Sequence, residues 1–381
     1  MKPALIEALE KLVTWAQGDL LPLWLSRGLV GLSRGSTSEQ WAAAQFDRRG
    51  EPDLDGPIEL ASQAQLAYVL ARAEQLGWSV GNRARVRKLM EFSARHGTLP
   101  CRSDGYVHRL DAQFAILDEH HYVSDHALFI LASAAISAAY GDSSDIRRAY
   151  NILDWLELRL ASPHGGWFEH SGIPAERSAR SHFTLLLAFL YAYEVTQKPR
   201  WLEAAEALVG LYQQKLLDGA SLRVSRTYGE AWAAVDPQIW CPEDQFLWIY
   251  GIHKFARCSG RKLSALEQYH RLQTGVADAD GLYRAVQGVG DSPKQAGALA
   301  AAILAGVSLA AEGDTLAAAA LEAQIGVFFH QCKTEGPRGL FVDRVGVDGA
   351  PETYTSAETT LILFDAARDA ARLLKSAGAR G

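Results

Sequence analysis

Cysteine, methionine and clustered basic residues are all scarce in this chain. Four cysteines (Cys101, Cys241, Cys258, Cys332) are scattered over 381 residues with no C-x-x-C pair. That spacing excludes a zinc ribbon and a disulfide framework, and it is the usage expected in a reducing compartment, so a cytoplasmic location is expected. No stretch concentrates Lys and Arg, and the formal net charge is -6. A phosphate-tracking surface is thereby excluded, and no nucleic-acid partner is expected; Arg177 and Arg180 are too few to make one. Long apolar runs are missing as well. Stretches such as Ala298 to Val307 are too short to span a bilayer, so no membrane partner is expected. Glu7 and Glu10 fall on a helical pattern that does not read as a secretory signal. There is no G-x-S-x-G elbow. Gly288-Val289-Gly290 lacks the strand–helix context of a nucleotide loop and reads as a turn, so no cofactor is expected. Asp118-Glu119-His120-His121 has the residue types of a metal site. Adjacent positions point different ways, however, and no partner recurs at helical spacing, so no metal is expected. Histidine stops at His330.

Apolar residues, by contrast, make up 48% of the chain and follow a repeating arrangement. Short breaks recur inside long helical stretches: Leu76-Gly77-Trp78, Tyr140-Gly141-Asp142, Thr196-Gln197-Lys198-Pro199, Ser259-Gly260-Arg261 and Glu312-Gly313-Asp314. Their spacing is roughly twice a helix plus its loops. Before each break, apolar residues run nearly all round the helix, as in Leu186, Phe189, Leu190 and Tyr193. After it, charged residues intervene, as in Asp145-Ile146-Arg147-Arg148-Ala149. A helix apolar all round is buried, and an amphipathic one lies outside. Each unit is therefore an inner helix, a tight turn and an outer helix. The pattern predicts helices over 3–17, 58–77, 83–98, 122–140, 144–160, 182–196, 199–217, 242–258, 262–277, 293–312, 314–331 and 355–376. Alternating inner and outer roles predict an all-α fold, an (α/α)6 barrel in which closure buries both faces of every inner helix, as a single domain over 1–381. Trp155 and Leu156 beside Trp201 and Leu202, on outer helices, are candidates for the face of a homodimer, although core packing is the stronger reading of the same residues.

Gly- and aromatic-rich links join the units: Gly105-Tyr106-Val107-His108, Gly165-Gly166-Trp167-Phe168-Glu169, Gly281-Leu282-Tyr283-Arg284 and Gly339-Leu340-Phe341-Val342-Asp343. They read as short β-hairpins. All precede inner helices, which gathers them on one face of the barrel, where long loops carry function. The first turns of the inner helices should then point into the mouth. They hold Gln63, Gln65 and Tyr68; Tyr122, Asp125 and His126; Arg180 and His182; Glu243, Asp244, Gln245 and Trp248; Lys294 and Gln295; and Tyr354, Thr355 and Glu358. Trp41, Trp167 and Trp240 add flat rings from the hairpins. Rings that cover C–H faces, beside acids and amides that match hydroxyls, suit a small-molecule sugar. The expected binding residues are Gln65, Tyr122, Asp125, His126, Trp167, Arg180, Asp244, Gln245 and Trp248. At any one of these positions a helix-capping role competes with binding. Glu243 and Asp244 are neighbours, a poor arrangement for groups that must flank one bond. Glu243 with Glu358, from different inner helices, is the better acid–base pair.

Several stretches carry a family resemblance. They are Leu21-Pro22-Leu23-Trp24 with Gln45 through Pro52; Gln63 through Tyr68 with Leu76-Gly77-Trp78; Ser124-Asp125-His126-Ala127-Leu128; His164-Gly165-Gly166-Trp167; and Tyr193-Glu194-Val195-Thr196. On these the chain resembles, over nearly its whole length, the N-acylglucosamine 2-epimerase family, which includes mannose isomerases and cellobiose 2-epimerases. The resemblance implies the same barrel, and proton abstraction beside the carbonyl of an opened sugar. It implies paired histidines as acid and base, with an arginine and glutamates holding the substrate. This sequence departs at those positions. The family's Gln-x-Arg is here Gln63-Ala64-Gln65, and its His-x-His is His182-Phe183-Thr184. Its His-x-x-Glu-Trp is Pro242-Glu243-Asp244-Gln245-Phe246, and its final Tyr-His falls in Thr355-Ser356-Ala357-Glu358, which has no histidine.

Three functions are compatible with these residues. The first is a sugar epimerase or isomerase with reassigned groups, in which Glu243 and Glu358 replace the histidines and His182 or His126 assists. The second is a catalytically silent relative that binds a sugar or a protein. The third is glycoside hydrolysis or hydration of an unsaturated uronic acid by two carboxylates, which needs them roughly 5 to 10 Å apart.

Overall fold

The computed structural model describes residues 1–34, 37–54, 56–99, 105–172 and 177–378; Cys101 lies outside them. Twelve helices of eight residues or more occur among the described residues. They are α1 (Pro3–Trp15), α2 (Leu60–Gln75), α3 (Arg83–His96), α4 (Val123–Tyr140), α5 (Ser143–Arg159), α6 (Ala179–Thr196), α7 (Pro199–Leu211), α8 (Pro242–Ser259), α9 (Leu266–Gln273), α10 (Ala296–Ala311), α11 (Thr315–Val327) and α12 (Ala357–Gly378). The even-numbered helices pack side by side, and α12 meets both α10 and α2, so they close a ring. Each odd-numbered helix lies outside an inner one. The outer partners are α3 on α2, α5 on α4, α7 on α6, α9 on α8, α11 on α10, and the first helix, α1, on the last, α12. This is the (α/α)6 barrel.

The sequence dictates which helix goes where. The outer helix α3 buries Val86, Leu89, Met90 and Ser93, a stripe at i, i+3, i+4 and i+7, and exposes Arg83, Arg87 and Arg95. The inner helix α10, almost all alanine, leucine and glycine, is buried from Ala296 to Leu309. Helix α4 is long and apolar enough to cross a membrane, yet 72% of it is buried inside the ring, the condition of a core helix. The breaks between partners are left-handed residues. Gly77, Gly141, Gly260 and Gly313 have φ of 72°, 73°, 71° and 95°, and Gln197, in the one break without glycine, has φ of 54°.

The predicted helix starts at 58 and 293 shift inward because strands intervene. Ile58–Glu59 pairs with Arg109–Leu110, and Lys294–Gln295 pairs with Arg344 and Val345. Those pairings belong to a larger pattern. The loop before each inner helix is hydrogen-bonded to the loop before the next. Tyr122 bridges His170; Arg177–Ser178 pairs with Thr227–Tyr228; Trp240 bridges Gln287. Phe46 bridges Tyr354 and joins the first loop to the last. The hairpins thus form a closed belt of backbone pairing around the mouth.

The residues weighed between a dimer face and the core pack as core. Leu156 and Trp201 are fully buried, with the Trp201 ring 4.7 Å from that of Tyr150. Leu202 packs against the core, and Trp155 stacks on His126 with ring centroids 4.6 Å apart and planes 3° from parallel. These side chains fill the space between the inner and outer layers, so they do not present a docking surface.

Candidate active site

The six inner helices enter the mouth in a common register. The first residue of each (Leu60, Val123, Ala179, Pro242, Ala296 and Ala357) is buried. Second and third positions supply five charged residues of the mouth: Asp125, Arg180, Glu243, Asp244 and Glu358. The fourth position does something different. Gln63 accepts the Ala42 N–H at 2.6 Å and donates to the carbonyls of Ala42 and Glu59. His126 accepts the Tyr106 N–H at 3.0 Å and donates from Nδ1 to the Tyr122 carbonyl at 2.7 Å. His182 accepts the Trp167 N–H at 3.0 Å and donates to the Ser178 carbonyl at 2.8 Å. Gln245 accepts the Val224 N–H at 2.8 Å and donates to the carbonyls of Val224 and Cys241. Each side chain staples a hairpin to the residue just before its own helix.

This register revises several sequence expectations. His126 and His182 have both ring nitrogens engaged and are fully buried. Burial pushes their pKa values down, to about 3 and about 4, so both rings are neutral. They cannot assist proton transfer without dismantling the hairpin. Gln245 is spent on backbone in the same way. Trp248 donates its indole N–H to the Ala179 carbonyl at 3.1 Å and stacks on Tyr212 inside the wall. Trp167 is buried against Phe189, and Tyr122 is held between the rings of His108 and His170, 4.1 and 4.8 Å away. None of these six lines the mouth.

Gln65, Asp125, Arg180, Glu243, Asp244 and Glu358 do come together there, around two adjoining cavities. The larger, of about 440 Å³, is walled by Gln65, Asp125, Arg180 and Glu358, and by residues that sequence reasoning missed: Asp53, Glu59, Glu169 and, at the floor, Asp365. The smaller, of about 420 Å³, is walled by Glu243, Asp244, Arg226 and Gln295. Arg180 and Glu358 line both and divide them. The Arg180 guanidinium donates to Glu243, to Asp244 at 3.2 Å and to Glu358 at 2.6 Å. Three carboxylates from α8 and α12 thus share one cation. Burial pushes Glu243 up to about 7, although Arg180 opposes it. Burial raises Asp244 as well. For Arg180 burial works against the charge, but the three carboxylates outweigh it and the guanidinium holds its proton more tightly than usual. Gly297, at the second position of α10, leaves the space that Glu243 occupies; a Cβ there would stand 2.8 Å from Oε2.

The floor is a buried charge network. Asp365 accepts from Tyr68 at 2.8 Å and from Arg368 at 2.6 Å, and Arg368 also reaches Tyr250 and Asp369. The missed acids had a visible signal, since Glu59 precedes an inner helix and Glu169 ends the Gly165 hairpin.

The model of the family described as N-acylglucosamine 2-epimerase (GlcNAc 2-epimerase) matches residues 42–247. No curated protein matches the chain. Among solved structures, the cellobiose 2-epimerase from Spirochaeta thermophila DSM 6192 is 17% identical, with a TM-score of 0.78 over 99% of this chain and 98% of that one. A D-mannose isomerase is 16% identical, with a TM-score of 0.79 over 96% and 97%. An unsaturated glucuronyl hydrolase specific for heparin is 11% identical, with a TM-score of 0.65 over 97% and 98%.

Proposed function

We propose, since the chain belongs to the N-acylglucosamine 2-epimerase family, that it epimerises or isomerises a small sugar by moving a proton beside the carbonyl of the open-chain form. The observation that carries this reading is the Arg180 cluster. A carboxyl held near neutral pKa can both take and give a proton at physiological pH, which is the task of the acid–base pair. Glu243 has that property through burial. Glu358, exposed and bonded to the same Arg180 nitrogen as Glu243, is the second carboxylate. Arg180, bonded to both, is placed to hold the oxyanion that develops on the carbonyl oxygen. Each of the two cavities that share Arg180 and Glu358 has the volume of a small-molecule site, and Glu243 lines the smaller.

Hydrolysis by Glu243 and Glu358 is less well supported. A glycosidic bond would have to lie between them, and the Arg180 guanidinium occupies that position.

The test is incubation in D2O with aldoses, ketoses, N-acetylhexosamines and cellobiose, following the carbon-bound proton beside the carbonyl by NMR. Exchange or interconversion is expected, falling by at least about a hundredfold in Glu243→Gln and declining above about pH 7 as Glu243 loses its proton. No exchange with any sugar of the panel would leave a binding protein as the better reading.

A further inference from the structure

His108 and Asp125 form a pair that the sequence did not reveal. Asp125 is buried in the first turn of α4, with its side chain 3% exposed, and it lines the larger cavity. Its Oδ2 is 2.7 Å from His108 Nδ1. The His108 backbone is fixed on both sides: its N–H donates to the Asp118 carbonyl, and its carbonyl accepts the first N–H of α2. The Tyr122 ring packs on the imidazole at 4.1 Å. The imidazole is therefore held by two inner helices and a ring, with one nitrogen aimed at a cavity carboxylate.

We infer that Asp125 is a second proton-transfer group of the larger cavity and that His108 is its positioning residue; this rests on the isomerase reading above. His126 and His182 are committed to backbone, so His108 supplies the assisting imidazole that the sequence sought in them. Asp125 and Glu358 reach the same cavity from α4 and α12, two inner helices separated by α2. In the step, the Asp125 carboxylate takes the proton from the carbon beside the carbonyl. The C–H electron pair becomes the new C=C bond, and the carbonyl oxygen takes the negative charge against Arg180. Return of a proton to the same carbon from the Glu243 carboxyl of the Arg180 cluster gives the epimer. Return to the former carbonyl carbon, with the proton of the neighbouring hydroxyl passing to the old carbonyl oxygen as that hydroxyl becomes the new carbonyl, gives the isomer, and water resets both carboxyls.

The charge state of His108 follows from its surroundings. Burial disfavours the cation, but the hydrogen bond and charge of Asp125 outweigh it and raise the pKa, with Glu59 adding to the effect and Arg109 opposing it. Asp118 faces the ring from the neighbouring strand, and Tyr122 carries His170 behind it.

The experiment measures deuterium incorporation into D-mannose and cellobiose from pH 5 to 9 for wild type, Asp125→Asn and His108→Gln, with His108 followed by NMR titration. Asp125→Asn should lose at least about a hundredfold in rate, and its His108 should titrate at lower pH than in wild type. His108→Gln should lose about tenfold and move the acidic limb of its pH–rate profile to higher pH, which a purely structural defect would not do. If Asp125→Asn exchanges within threefold of wild type, or His108→Gln leaves the profile in place, the inference is overturned while the isomerase reading stands. If wild type exchanges neither sugar, the isomerase reading fails on this pair of substrates and the inference falls with it.

Discussion

Arg180 and Gly297 are best understood as one residue-scale device. A guanidinium that serves three carboxylates fixes where each oxygen lies, and the missing side chain at Gly297 fixes where Glu243 can lie. Alanine in place of glycine within a helix ordinarily stabilises it by about 1 kcal/mol. Gly297→Ala would gain that but place a Cβ 2.8 Å from Glu243 Oε2. The carboxylate sits at the end of a flexible side chain and would swing away, so the fold would absorb the change while the geometry at Arg180 would not. The expected outcome is a thermal midpoint equal to or above that of wild type, with deuterium exchange reduced by at least about tenfold. Parallel loss of stability and exchange would mean that Gly297 serves packing instead.

The fourth-position staples belong to the element scale, because each joins one helix to one hairpin. Glutamine and histidine do the same work here: one acceptor takes a hairpin N–H, and one donor reaches the carbonyl of the residue just before the helix. His182→Gln should therefore be tolerated, whereas His182→Ala leaves the Trp167 N–H unmet beside a cavity and should cost about 3 kcal/mol. The pH dependence has a definite sign. The folded pKa of His182, about 4, lies below the ordinary 6.5. Between those values the unfolded chain binds the proton and the folded protein does not, so stability falls as pH drops from about 6.5 to 4. His182→Gln should shrink that decline in urea midpoints, and an unchanged slope would show that this ring is not the group responsible. The same staples explain what could be read from sequence. Helix order, partners and the mouth end were legible, because apolar periodicity and left-handed breaks are local properties. The role of His126, His182 and Gln245 was not. A polar residue one turn into a helix reads alike whether it faces a ligand or a loop amide, and only the hairpin's position tells them apart. For the same reason His108 passed as part of a hairpin, since its partner Asp125 lies 17 residues away.

At the scale of the whole molecule, the question is why a chain of helical hairpins closes. In an open solenoid each repeat leans only on its neighbours, and the terminal ones fray. Here two devices remove the ends. The backbone belt joins first loop to last through Phe46 and Tyr354. On the barrel axis, Arg368 of α12 donates to Tyr68 of α2 at 3.0 Å and to Tyr250 of α8 at 3.1 Å, while pairing with Asp365 and Asp369. Its charge and hydrogen bond outweigh burial and hold Asp369 at about 2. We propose that residues 1–381 are one cooperative domain on this account. Arg368→Met would leave Asp365 buried without its paired cation and Asp369 with only the exposed Arg372, and a broken buried pair costs about 3–5 kcal/mol. Because the arginine ties the last inner helix to the first and across to α8, that loss should be felt around the ring. Hydrogen exchange read by mass spectrometry should show α2, α8 and α12 losing protection together, in a single urea transition at lower midpoint. Opening of α12 alone, with α4 through α8 still protected, would mean that the ring behaves as a solenoid whose ends merely touch.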